Sequence, residues 1–271
     1  MPLVLSLFPG IGMLDMAFEE AGFCIVRGPD IIWGGDIRRF NPPARTFDGV
    51  IGGPPCQSFV PMANVNRKRW GEESVGENLI PEFERCVGEA RPEWFLMENS
   101  TYAPVPAVAS YVVESICLNN RWLGEKQNRL RRFSLGTHDG RKLLVEEALF
   151  EHPEFEYAVT RHGAAHWFAK DRHYDRPLAT IERRRKAALS RTLADMAELQ
   201  GLPSDFLASA PFTEMGKRRA IGNGVPLPMG RAIARAIARA VYGVEPWDAA
   251  IERAAAAQQA RGEEVAVEGD W

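Results

Sequence analysis

Cys56 stands in a setting built for reaction rather than for packing. It closes the run Gly52-Gly53-Pro54-Pro55-Cys56-Gln57, in which two consecutive prolines fix the backbone immediately before a thiol. The apolar stretch Phe47 to Ile51 precedes it and reads as a buried strand. The thiol therefore emerges at a strand's carboxyl end, where α/β proteins place their ligand sites. A cysteine that only fills a core has apolar neighbours, whereas those of Cys56 are polar or turn-forming. A second group has the same placement: the strand-like EWFLM (93–97) delivers Glu98-Asn99-Ser100. An acid there is either a solvated loop residue or a catalytic acid. The pair says more than either residue alone, because a thiolate nucleophile and a carboxyl group from two strand ends can converge on one substrate.

A third feature is the turn Phe8-Pro9-Gly10-Ile11-Gly12, between the apolar run 3–8 and the amphipathic MLDMAFEEAG. Glycines there let the backbone approach a ligand, and a helix N-terminus offers unpaired N–H groups. The same pattern also serves as a plain strand-to-helix connection.

These groups need a scaffold of alternating elements. Strands are predicted at 3–8, from Phe23 to Val26, from Phe47 to Ile51 and at 93–97. The first helix closes at Gly22. Further helices are predicted near 77–90 and 105–119, followed by a strand pair around 121–136. Alternation of this kind argues for an α/β fold with a parallel, doubly wound sheet. Beyond Gly136 the chain changes character, and residues 137–176 are rich in His, Arg and aromatics with weak periodicity. Helix returns near 192–200 and over 226–242, where Pro226 suits a helix start. The rest is an Ala/Glu-rich tail.

The chain has 271 residues, 45% of them hydrophobic and 25% charged, which suits one α/β core with a small appended region. No run reaches the length of a membrane span and the first residues lack a basic n-region, so a cytoplasmic location is expected. Four widely spaced cysteines without a C-x-x-C pair argue against zinc or a disulfide framework. Cys24, Cys86 and Cys117 are expected in the core.

The net charge of −3 is unevenly placed. Seven acids lie within 245–271 against Arg253 and Arg261, and the rest of the chain holds 31 basic and 29 acidic residues. Arg67-Lys68-Arg69, Arg129-Leu130-Arg131-Arg132, Arg183-Arg184-Arg185-Lys186 and Lys217-Arg218-Arg219 are local basic clusters. They are solvated faces or nucleic-acid contacts.

Taken with their order, these segments resemble the DNA (cytosine-5)-methyltransferases. Phe8-x-Gly10-x-Gly12 is similar to that family's first motif, Gly52–Ser58 to its nucleophile motif and Glu98-Asn99-Ser100 to its Glu-Asn-Val. Gln127-x-Arg129-x-Arg131 resembles its Gln-x-Arg-x-Arg. The runs 197–203 (AELQGLP) and 221–226 (IGNGVP) resemble its two C-terminal motifs. The resemblance implies a Rossmann-like, S-adenosylmethionine-dependent methyltransferase without a metal, acting on double-stranded DNA as a monomer.

It also implies roles. Cys56 adds to C6 of cytosine, because C5 is a poor nucleophile until an enamine forms. Glu98 bonds N3 and the exocyclic amine, Arg131 binds O2, and Arg129 supports the site. The base is flipped out of the duplex, and the stretch 58–76 is a mobile loop that closes over it. Gln57, Ser58, Arg67, Lys68 and Arg69 are the DNA contacts of this part. For the cofactor the resemblance points to Phe8, Gly10, Gly12, Leu14, Asp36, Ile37, Pro54, Leu79, Asn223 and Val225. Asp30 falls where the family holds the ribose hydroxyls, or is simply a turn aspartate.

Three departures stand out. Only five residues separate Asp30 from Asp36, which trims the adenine side of the pocket. Ser6 and Met13 replace the usual Asp and Gly of the first motif. The target-recognition segment is very short, 137–176, because Arg176-Pro177-Leu178-Ala179-Thr180 already resembles the returning motif. Reading a base pair takes one or two side chains in the major groove, so a short or relaxed target of roughly two or three base pairs is expected. Arg161, His162, His166, Lys170, Arg172 and His173 are readers or solvated loop residues.

The expected organisation is 1–136 catalytic and cofactor-binding, 137–176 recognition insert, 177–242 returning C-terminal motifs and 243–271 acidic tail. A compact phage or bacterial modification enzyme fits these features. A tRNA cytosine-5-methyltransferase and a catalytically silent DNA-binding paralogue are the alternatives.

Overall fold

The computed structural model describes residues 1–59, 61–71, 75–150, 152–159 and 191–243. Apolar runs form β1 (Leu3–Leu7), β3 (Gly49–Gly52) and β4 (Trp94–Asn99), with β2 (Cys24–Arg27) outside β1. β5 (Val112–Asn119) and β7 (Leu130–Thr137) complete a six-stranded sheet in the order β2-β1-β3-β4-β7-β5. β2, β1, β3 and β4 run parallel, and β7 is antiparallel to both β4 and β5. The sheet is therefore mixed, and the expectation of a wholly parallel sheet is corrected at β7. The chain leaves β1 for one side at β2 and returns to its other side at β3. That is a topological switch point, and the β1 and β3 carboxyl ends border the crevice it opens.

Side chains alternate across the strands. Val4, Ile51, Leu96 and Phe133 face one side, packed with Leu14 and Phe18 of α1 (Met13–Glu20) and Met229 and Ile233 of a late helix (Leu227–Ile237). Leu5, Leu7, Val50, Phe95 and Met97 face the other side, against Ile80, Phe83 and Val87 of a helix spanning Ile80–Ala90. In chain order the helices are α1, α2 (Pro61–Trp70), α3 (Ile80–Ala90), α4 (Leu193–Leu199), α5 (Glu214–Asn223) and α6 (Leu227–Ile237). A five-residue π-turn, Ala238–Tyr242, extends α6. Among the described residues no helix is long and apolar enough to cross a membrane.

Several expectations need correction. Residues 105–119 do not form a helix: Val112–Asn119 pairs with β7 along its whole length. Its Val-Val and Ile residues suit an extended chain. The pair expected around 121–136 is instead β5 with β7, and the segment between them holds a 3₁₀ turn (Asn120–Leu123) and the short β6 (Gln127–Asn128). β6 pairs in parallel with β8 (Glu156–Tyr157), inside the expected insert. Only Cys86 of the three presumed core cysteines is buried; Cys24 and Cys117 are exposed. They lie on β2 and β5, the two outermost strands of the sheet, where fewer neighbours cover each face. The segment 58–76, expected as a loop, contains α2.

Candidate active site

The register sets the geometry. Leu7 pairs with Gly52, and Gly52 with Met97, so the segments after β1, β3 and β4 leave the sheet side by side at one level. The first two carry the glycine turn and Cys56, and Glu98 is the second-last residue of β4 itself. Gly53 has no side chain, and a Cβ there would lie 3.1 Å from Glu98 Oε2. Asn99 Nδ2 donates to the Pro54 carbonyl at 3.0 Å, and Asn99 Oδ1 accepts from Ser100 N–H at 2.8 Å. This buried amide ties the acid's strand to the diproline segment two residues before the thiol. Cys56 itself is half-buried. Ser58 donates to Gly76 O at 2.6 Å, and Gln57 is exposed.

Glu98 is only 8% exposed. Burial raises its carboxyl above the usual range, against the lowering influence of Arg131 and Arg129. Arg131 Nε lies 3.0 Å from Glu98 Oε1. Side chains at 98, 129 and 131 occupy the same face as Phe133 and Leu135, as strand alternation requires. Arg129 is almost fully buried, with NH1 donating to Val159 O at 2.7 Å and NH2 to Gly222 O and Gly224 O at 3.1 and 2.9 Å. Burial first, and the neighbouring Arg131 second, pull Arg129 down to about 9, while Glu98 and Cys56 act in the opposite direction. It stays protonated at neutral pH. Its partners are backbone carbonyls, which makes it a brace for the site, whereas Arg131 faces the acid.

The cofactor-side residues are only partly assembled around the glycine turn. Gly12 takes φ 81° and starts α1, conformations that suit glycine. Gly10 N–H donates to Asp30 Oδ2 at 2.8 Å, Ile32 N–H donates to Asp30 Oδ1 at 2.9 Å, and Trp33 Nε1 donates to Gly10 O at 2.8 Å. Asp30 therefore stands at the turn and braces it. Among the described residues nothing lies within 4 Å of where a Gly10 Cβ would sit, so the turn is open to them on that side. Phe8 is half-buried beside it and Asn223 is exposed at the end of α5.

Other expected residues have packing or ion-pair contacts of their own. Leu14 and Val225 pack in the α1–α6 core, and Ile37 and Leu79 pack with the α3 core. Pro54 is buried beneath its Asn99 contact. Asp36 caps a 3₁₀ turn (Ile37–Arg39) and pairs with Arg38 at 2.9 Å, which lowers its carboxyl pKa. Where five residues link Asp30 to Asp36, the chain holds just one further 3₁₀ turn, Ile31–Trp33.

Sequence reasoning missed four features. Trp33 is 58% exposed beside Gly10, with its ring 5.3 Å from Phe212; an unpatterned Ile-Ile-Trp before two glycines was the available signal. Asp15 is fully buried under the turn, accepting from Ser6 Oγ at 2.5 Å and Arg27 Nε at 2.8 Å. The acid missing at position 6 is thus supplied from α1, and burial raises its pKa in spite of Ser6 and Arg27. Arg132 holds the loop after Glu98 by donating to Thr101 O and Ala103 O. Gln127 and Gln200 form a buried network described below.

Of the residues expected to contact DNA, Arg67, Lys68 and Arg69 form the last turn of α2, and the Arg69 guanidinium lies 5.0 Å from the centre of the exposed Trp70 ring. Arg161, His162, His166, Lys170, Arg172 and His173 lie outside the described residues, as do Arg176–Thr180 and the tail beyond 243. Among the described residues no three His, Cys, Asp or Glu side chains cluster to hold a metal.

A mixed sheet of this order, with helices on both faces and its reactive groups at the switch point, defines a Rossmann-like methyltransferase fold. Solved structures agree on the fold. The S. pombe Dnmt2 methyltransferase superposes with a TM-score of 0.57 at 17% identity, over 88% of this chain and 98% of that one. A DNA modification methyltransferase encoded within an E. coli prophage gives 0.56 at 16%, over 89% and 100%.

A family model described as C-5 cytosine-specific DNA methylase matches residues 31–103, a span that holds both Cys56 and Glu98. The Type II methyltransferase M.NgoPII of Neisseria gonorrhoeae is 32% identical over 148 residues, covering 48% of this chain and 38% of that protein. M.AquIA of Picosynechococcus is 35% identical over 123 residues, covering 35% and 47%. The orphan methyltransferase M.SPRI of Bacillus phage SPR is 25% identical over 169 residues, covering 50% and 38%. The chain thus matches less than half the length of each of these relatives. Over the matched residues it is similar to the C-5 cytosine methylases.

Proposed function

We propose that this chain methylates C5 of cytosine in double-stranded DNA, using S-adenosylmethionine. The observation that supports this reading most is that the segment carrying Cys56 leaves β3 beside β4, whose end holds the buried Glu98–Arg131 pair. Cys56 as thiolate adds to C6 of a flipped cytosine and generates an enamine with electron density at C5. Glu98, whose carboxyl is raised above the usual range by burial, bonds N3 and the exocyclic amine and so stabilises the enamine. Arg131 is placed to bind O2, and Arg129 holds the surrounding backbone.

The cofactor supplies the methyl group. Gly10, Gly12, Phe8, Asp30 and Asn223 fit as its cradle, because the turn is open at Gly10 and carries an acid beside it. Loss of the C5 proton and expulsion of the Cys56 thiolate restore the aromatic ring.

In this reading residues 1–136 and 177–242 form the catalytic unit and 137–176 the recognition segment. The acidic tail is 243–271. The enzyme works as a monomer in the cytoplasm of a bacterial or phage-infected cell, on short or relaxed target sequences. The test is to incubate the protein with unmethylated DNA and S-adenosylmethionine and map every cytosine by bisulfite sequencing. Methylation in many short contexts, absent with Cys56→Ala, is expected. A single strict site of four or more base pairs would refute the relaxed target. A blank map on DNA with methylated tRNA would transfer the activity to RNA.

A further inference from the structure

A closed ring of buried hydrogen bonds joins the two sides of the site. Gln200, fully buried at the end of α4, donates through Nε2 to Ile221 O at 2.7 Å and Gly224 O at 3.2 Å. Gly224 O also accepts from Arg129, as does Gly222 O. Arg129 donates onward to Val159 O. Val159 N–H donates to Gln127 Oε1 at 3.1 Å, and Gln127 Nε2 returns to Gln200 Oε1 at 3.1 Å and Leu199 O at 2.5 Å. Leu227 N–H, at the start of α6, donates to Gln200 O at 2.9 Å.

Two points where ligands would act sit on this ring. Asn223, exposed and on the cofactor side in the reading above, lies between the two carbonyls that hold Arg129. Val159 directly precedes the segment that carries the candidate base readers. A ligand that shifts the 222–224 backbone moves the acceptors of Arg129. A base seated against Glu98 and Arg131 acts on Arg129 directly, since both groups influence its charge. Gln200 is the side chain that holds the 221–224 turn in register with Arg129. The ring transmits such a shift because moving one of its bonded groups leaves the partner of that bond buried and unpaired.

We infer that Gln200 is a positioning residue that couples cofactor binding to target-DNA binding, acting through Gly224 and Arg129. The inference rests on the function proposed above. Thermodynamic linkage makes the coupling reciprocal: DNA tightens cofactor binding by the factor by which cofactor tightens DNA binding.

S-Adenosylhomocysteine is titrated by calorimetry into the full chain, alone and with a saturating unmethylated duplex that contains cytosine before each of the four bases. In the wild type, DNA tightens its binding by about fivefold or more. Gln200→Met removes the donor and reduces that factor to under about twofold, while affinity without DNA changes by less than about threefold. Gln200→Glu keeps the shape and serves if the first variant does not fold. Its coupling returns as pH falls, because a protonated carboxyl regains one donor, a response that mere loss of packing does not produce.

Undiminished coupling in a folded variant overturns the proposal. A wild type without coupling also overturns it, while a positive bisulfite map leaves the activity standing. A wild type that binds no S-adenosylhomocysteine, with a blank map, removes both.

Discussion

Replacing Asn99 by alanine tests whether the diproline segment is held in place for the nucleophile. Asn99 is 2% exposed and its amide makes two bonds, to Pro54 O and from Ser100 N–H. Each lost bond costs about 1 kcal/mol net, and the Pro54 carbonyl left buried and unpaired adds about 1 kcal/mol more. The sum, about 3 kcal/mol, lowers the melting midpoint by roughly 6–12 °C for a chain of this size. The effect on catalysis is separate. Pro54 lies two residues before Cys56, and displacement of a reacting group by about 1 Å lowers a rate on the order of a hundredfold. Methyl transfer from labelled S-adenosylmethionine, assayed well below both midpoints, is therefore expected to fall by about 10- to 100-fold in kcat. KM for the cofactor is expected to change little. A folded variant whose kcat stays within twofold of wild type would show that this clamp does not position the thiol.

Two further predictions concern the surrounding site. The Glu98 carboxyl, followed by carbon-13 NMR, titrates above the ordinary value of about 4.3, and Arg131→Met moves it higher still. Because this acid is raised on folding, the native state binds more protons than the unfolded one between the two pKa values. Its stabilising contribution is then complete below the unfolded pKa and is lost as pH rises through the folded one. Urea melts of wild type and Glu98→Gln across that window should differ in slope with that sign; the opposite sign would place an ionised acid in the site. Gly49→Ala is a pure packing test. Its new Cβ would lie 2.3 Å from a ring atom of Trp94, which is fully buried and donates to Tyr242 Oη at 2.8 Å. The ring has nowhere to go, so a loss of about 1–3 kcal/mol is expected in denaturant melts; no loss would mean the strand pair can separate locally.

Much of the site was readable from local pattern. Glycine turns, a Pro-Pro-Cys run and an acid at the end of an apolar strand are consecutive residues whose backbone limits and side-chain chemistry act over short distances. That is why β1, β3, β4, α1, α3 and α4 fall close to where composition and periodicity predict. Val112–Asn119 was misread because an edge strand is covered on few sides and carries a weak alternation, which apolar residues at helical spacing can mimic.

What only the tertiary structure decided are relations between distant residues. Asp15 replaces the acid absent at position 6 because α1 turns back over β1. Asp36 is drawn into an ion pair with Arg38. Arg129 is a brace, since Val159, Gly222 and Gly224 bring three carbonyls to it from far along the chain. Sequence spacing determines which residues can share an element. Whether a buried charge ends as a catalytic contact or a structural one depends on which acceptors the fold brings within hydrogen-bond reach, because burial without a partner is too costly to persist.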